Sequence, residues 1–160
     1  MVRLSELPNP NRLELSNGEV STASIGGSCD GLRTLKLDSV DLKGDGLKAL
    51  ASLPKLTRLD LKLKEHYSLE QIRDWFPSLR QLLIDDSRIV ESEIVSVADQ
   101  LGKLERLEIL NAKLTKTSIA EFVKMTGLKS LVLRKSGLDS KAETDLKKLM
   151  PKCKIEVRDY

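Results

Sequence analysis

The stretch Leu128-Lys129-Ser130-Leu131-Val132-Leu133 decides how this chain folds, because its spacing occurs four more times upstream. Leu32-x-x-Leu35-x-Leu37, Leu56-x-x-Leu59-x-Leu61, Leu79-x-x-Leu82-x-Ile84 and Leu104-x-x-Leu107-x-Ile109 carry the same pattern. The first leucines stand at 32, 56, 79, 104 and 128, which are steps of 24, 23, 25 and 24 residues. A fixed period of that size marks a solenoid. One unit cannot bury its apolar face alone, but stacked neighbours share a continuous core.

The period changes inside each unit. Leu35 and Leu37 alternate, as a strand requires, whereas Leu42, Leu47, Leu50 and Leu53 fit a helical stripe. The fold class is therefore α/β, with short strands stacked in parallel and helices behind them. Ser68-x-x-Gln71, Ser118-x-x-Glu121 and Ser140-x-x-Glu143 have the spacing of capping boxes and predict three helix starts. Pro54, Pro77 and Pro151 predict three helix ends, and Gly102 and Gly127 two more.

Outward from the regular units the pattern loosens. Asn11-Arg12-Leu13-Glu14-Leu15 keeps the last two apolar positions, with Pro10 in place of the first leucine. The Ser- and Gly-rich run that follows has no helical period, and a loop or short extended piece is expected there. A degenerate first unit thus covers 1–31, regular units cover 32–151 and a terminal strand covers 152–160, all in one domain. On that last strand Lys152-x-x-Ile155-x-Val157 repeats the spacing. Lys154, Glu156 and Arg158 alternate with its core residues and discourage edge pairing, as at a natural terminus. The third unit is irregular. Where Leu42, Ile89, Leu114 and Leu138 stand elsewhere, it has His66, and Trp75 and Phe76 are read as filling an irregular corner of the core.

These units resemble leucine-rich repeats of the ribonuclease-inhibitor-like kind, and GLKALASLPKLTRLDL (46–61) and DLKKLMPKCKIEV (145–157) are similar to short intracellular bacterial repeats. The resemblance covers roughly 10–158 and implies a leucine-rich-repeat solenoid with a parallel concave β-sheet and helices on the convex side. Where the family usually carries Asn or Cys at the ninth position, this chain has Val40, Ser87, Ala112 and Ser136. An unbroken side-chain ladder is not expected along that column.

The composition narrows function. There are 27 Lys and Arg against 24 Asp and Glu, so the net charge of +3 gives no general drive toward nucleic acid. Aromatics are 3% of residues, too few for base-stacking platforms. No run reaches the ~18 apolar residues of a membrane span, and the N-terminal stretch lacks the apolar centre of a signal peptide. Cys29 and Cys153 lie near opposite ends of the array, too far apart to bridge, and read as reduced thiols in a cytoplasmic protein. A single histidine, His66, supplies neither a nucleophile's base nor a multi-histidine metal site, and Asp85-Asp86 reads as a solvated turn. No catalytic residue, metal or cofactor is expected, and the chain is read as a monomer.

What remains is surface. The residues between the core leucines pave the concave face in three columns, most of them charged. Leu83, Leu110 and Val132 are the apolar exceptions, and adjacent strands place them within about 5–10 Å of one another. With Asp85, Arg106, Glu108 and Arg134 around them, they have the composition of an interface centre with a polar rim. The expected function is a non-catalytic module that binds a protein partner through its concave face. A structural spacer within a larger protein is the alternative, and an enzyme or nucleic-acid binder stands third. The basic C-terminal end, with Lys147, Lys148, Lys152 and Lys154, reads as a solvated face.

Overall fold

Each apolar triplet forms one short strand because its alternate side chains need a common buried face, and the next triplet, one unit later, offers a matching strand. The computed structural model describes residues 11–21, 29–43, 46–98 and 101–158; Pro10, the Ser/Gly run over 22–28 and Asp159 lie outside the described residues. Seven strands follow one another: β1 (Arg12–Ser21), β2 (Thr34–Lys43), β3 (Arg58–Leu63), β4 (Gln81–Asp85), β5 (Arg106–Leu110), β6 (Ser130–Arg134) and β7 (Lys154–Arg158). They form one sheet in the order β1 to β7, and every neighbouring pair is parallel. The register does not drift: Leu35, Leu59, Leu82, Leu107, Leu131 and Ile155 stand in one row across six strands.

Helices α1 (Gly46–Ala49), α2 (Leu69–Trp75), α3 (Glu91–Val97), α4 (Ser118–Lys124) and α5 (Ser140–Leu149) connect the strands and cover one side of the sheet. Each turns apolar residues inward at helical spacing, such as Leu69 and Ile72, Ile94 and Val97, Ile119 and Phe122, and Ala142 and Leu146. These meet the strand leucines in one core that runs from Leu13 to Ile155. Helices need about 10 Å between axes and strands only about 4.8 Å, so the helix-free side is the concave one.

Several local expectations change. The degenerate first unit carries a full ten-residue strand, with Ser16 to Ser21 continuing to pair along β2 as far as Lys43. The stripe through Leu47 and Leu50 is only four residues of helix followed by a 3-10 turn, Leu50–Ser52. Pro54 forces that change, since the residue before a proline avoids the helical region, and Leu53 is extended. Of the three capping boxes, Ser68–Gln71 forms completely. Helix α5 is capped instead by Asp139, whose carboxylate accepts from Ala142 N–H at 2.9 Å. Ser118 lies inside α4, fully buried, with its hydroxyl accepting from Thr115 N–H.

The turns that lead into the strands share one closure. The N–H groups of Leu32, Leu56, Leu79, Leu104 and Leu128 each donate to the carbonyl three residues earlier, and Cys153 does the same to Met150. Cys153, half-buried against the core, therefore takes the first-leucine place in the last unit, and Lys152 points outward. Both cysteines are free thiols, as the spacing implied, and burial pushes both pKa values up. Gly127 is required by close approach: a Cβ there would stand 2.1 Å from the Gly102 carbonyl oxygen of the preceding unit.

At the other end of the strands, Asn17, Ser39, Asn111 and Lys135 occupy the left-handed region at the equivalent position of four units. The ninth-position ladder does not form: Val40 and Ala112 are buried without a polar group, and the buried Ser136 hydroxyl has no partner. Backbone bonds join the units here, among them Leu114 N–H to the Ser136 carbonyl and Lys113 N–H to the Ile89 carbonyl, both 2.9 Å. Where the second unit meets the third, Ser39 of β2 is an extra residue between the pairs Asp38–Lys62 and Val40–Leu63. His66 stays partly exposed, while Tyr67 packs edge-on against Trp75 with ring centroids 6.1 Å apart. Phe76 is buried, so Trp75 and Phe76 do occupy the irregular corner.

Candidate functional site on the helix-free face

Side chains at alternate strand positions must point away from the helices, and pairing stacks them in three rows. One row runs Arg12, Thr34, Arg58, Gln81, Arg106, Ser130, Lys154. The middle row runs Glu14, Lys36, Asp60, Leu83, Glu108, Val132, Glu156. The third includes Ser16, Asp38 and Lys62, and on the later strands Asp85, Leu110, Arg134 and Arg158.

Ion pairs tie the rows together. Arg58 grips Asp60 through two bonds, Nε at 3.1 Å and a terminal nitrogen at 2.9 Å, and these hold the Arg58 pKa above its ordinary value. Arg106 donates to Glu108 at 2.9 Å and to the Ser130 hydroxyl at 3.2 Å. Arg12 pairs with Glu14 and lowers its pKa, and Arg158 stands 3.0 Å from Glu156. Asp60 and Glu108 are buried beneath their arginines.

The seven residues singled out from sequence fall into two groups. Leu83 and Leu110 are half-exposed on this face, Leu83 in register with Asp60 and Glu108, Leu110 with Asp85 and Arg134. Val132 is not available: it is 5% exposed. The reason is Arg134, two residues along the same strand, whose guanidinium stands 3.7 Å from Glu108 and 3.5 Å from Glu156, the carboxylates on either side of Val132. The arginine folds back over the valine, so the expected apolar diagonal shortens to Leu83 and Leu110. Glu108 is likewise an anchor for Arg106 and Arg134 rather than an exposed rim charge. Asp85 accepts from the Asn111 side-chain amide.

A cavity of about 530 Å³ opens where the strands end, lined by Lys62, Lys64, Asp85, Asp86, Arg88 and Asn111 among others. At its edge His66 stands between two carboxylates, with Nδ1 2.9 Å from Asp86 and Nε2 3.3 Å from Glu93. Burial would raise the Asp86 pKa, but hydrogen bonds from the Arg88 and His66 side chains and the Arg88 backbone outweigh it and hold it below the usual value. Asp85 and Asp86 thus turn to different partners. Among the described residues, no three His, Cys, Asp or Glu side chains converge to hold a metal ion, and no helix is long and apolar enough to cross a membrane.

One feature of this face spans two units. Arg12-x-Glu14, Arg58-x-Asp60, Arg106-x-Glu108 and Lys154-x-Glu156 repeat a cation-x-acid motif at 12, 58, 106 and 154, steps of 46, 48 and 48 residues. The motif falls on alternate strands, β1, β3, β5 and β7, and β2, β4 and β6 between them carry Lys36, Leu83 and Val132 in the middle row. Reading the columns in steps of two units would have exposed it.

No family model and no curated protein matches the sequence. Among solved structures the chain is similar to an internalin (inlF) from Listeria monocytogenes str. 4b F2365, with a TM-score of 0.53 and 20% sequence identity over 83% of this chain. The match spans 36% of that structure's chain, so this chain covers little more than a third of its length. At that identity the likeness is one of fold. The repeat spacing, the sequential parallel sheet and this likeness make the chain a leucine-rich-repeat solenoid, with strands on its inner face and helices outside.

Proposed function

We propose that the helix-free face binds a protein partner and that the chain catalyses no reaction. Leu83 and Leu110 form the apolar centre, with Asp85, Arg106, Glu108 and Arg134 around it. One observation carries the reading. Leu83 is half-exposed between two carboxylates that are each fixed by an arginine, so an accessible apolar group lies inside a rim whose side chains are already ordered. Ordering a rim in advance lowers the entropy lost on association. Free thiols at Cys29 and Cys153 suit a reducing compartment, and we place the protein in the cytoplasm on that ground.

The test is a double substitution, Leu83→Ser with Leu110→Ser. Partner capture from a lysate of the source cells is expected to be lost, while the thermal midpoint moves little, because neither side chain belongs to the core cluster. Capture at wild-type strength overturns the reading. A structural spacer docking against a neighbouring domain is favoured by a different observation: an apolar groove of about 220 Å³ at the ends of α4 and α5, bordered by the exposed Leu149. Leu149→Ser that abolishes capture with Leu83 intact moves the site there.

A further inference from the structure

Cations and carboxylates on the helix-free face lie at different depths. Asp60 and Glu108 keep 10% and 9% of their side-chain surface, whereas Arg58 and Arg106, bonded to them, keep 37% and 42%. Glu156 at 26% lies under Arg158 at 46% in the same way. The formal charges nearly balance along the rows, but an approaching molecule meets guanidinium first. The guanidiniums also retain bonding capacity. Each carries five N–H donors, and the internal bonds of Arg106 to Glu108 and Ser130 use two of them.

We propose that this layering fits the face to an acidic protein segment, one with spaced Glu or Asp side chains and an apolar residue to meet Leu83. The proposal rests on the protein-binding reading above and supplies the chemistry of the partner. The buried carboxylates hold the arginines in place without covering them, and a second carboxylate from the partner takes the outward donors in a charge-assisted bond. A nucleic-acid strand fits less well. Glu14, Asp38 and Asp85 stand partly open among the cations, where a continuous phosphate chain meets repulsion and spaced carboxylates pass between. None of the three rows contains an aromatic side chain on which a base would stack.

The experiment measures binding of a fluorescent synthetic peptide, rich in Glu and Asp with one central leucine, by anisotropy. A single-stranded oligonucleotide of the same length serves as comparison. The wild-type chain is expected to bind the peptide more tightly than the oligonucleotide. Arg58→Gln with Arg106→Gln is expected to weaken peptide binding about tenfold or more. Glu108→Gln is expected to tighten it several-fold, because it removes the internal countercharge of Arg106 and Arg134 while a side-chain acceptor remains. Misfolding cannot produce that opposite sign. Tighter binding of the oligonucleotide, or weaker peptide binding by Glu108→Gln, overturns the proposal. A partner that Leu83→Ser releases but the acidic peptide does not displace overturns the acidic chemistry alone. A partner that neither affects overturns the protein-binding reading as well.

Discussion

At Asp86, donors from two successive units meet one carboxylate. Arg88 gives its backbone N–H at 2.9 Å and two guanidinium nitrogens at 2.8 and 3.0 Å, and His66 Nδ1 of the preceding unit stands 2.9 Å away. The folded-state pKa lies below the ordinary 3.8, so the folded state favours the ionised carboxylate. That stabilisation is fully present above about pH 3.8 and is lost as pH falls below it through the folded pKa. Asp86→Asn is therefore expected to lower the urea midpoint at neutral pH, and the gap from wild type should close in acid below that value. An equal gap at both extremes would contradict the assignment. Sequence alone read Asp85-Asp86 as a solvated turn, because nothing in local spacing brings a histidine 20 residues upstream onto it. The irregular third unit does so: His66 has left the core position its counterparts hold, and Tyr67 takes up the packing.

The helices show where local rules compete. Ser-x-x-Glu spacing occurs at Ser140, but Asp139 stands one residue earlier in extended conformation and holds the Ala142 N–H, so the helix begins under the aspartate. Of the three serines with that spacing, only Ser68 makes both halves of a capping box. Ser68→Ala is expected to cost about 1 kcal/mol, whereas Ser140→Ala should be close to neutral. Urea midpoints of the two variants check this, and equal losses would restore the spacing rule at Ser140. The helix stops were more legible than the starts. A proline or a glycine acts on its own backbone or its immediate neighbour, and a cap depends on which of two adjacent acceptors wins.

Across the whole molecule, strand order and register were legible in the sequence, because a one-residue slip would turn every leucine out of the core. Leu107, fully buried in β5, tests that arrangement. Leu107→Ala is expected to cost about 2–5 kcal/mol through lost transfer energy and the cavity left behind. Neighbouring units share one core, so circular dichroism and the fluorescence of Trp75 in α2 should report a single, equally shifted midpoint. Separate midpoints would mean that the units melt independently. The helix-free face was only half legible. Its columns follow from strand period, but the depth of each side chain depends on long residues folding over neighbours, as Arg134 does over Val132. The alternation of strands with and without the cation-x-acid motif carries a last consequence. To a molecule laid across it, the sheet is a lattice whose true cell is two strands wide, about 9.6 Å. A guest seated over β4 finds near-copies of its berth over β2 and β6, and its position along the array is nearly degenerate. The floor of each cell breaks the tie: Lys36 in one, the half-exposed Leu83 in the next, the covered Val132 in the third.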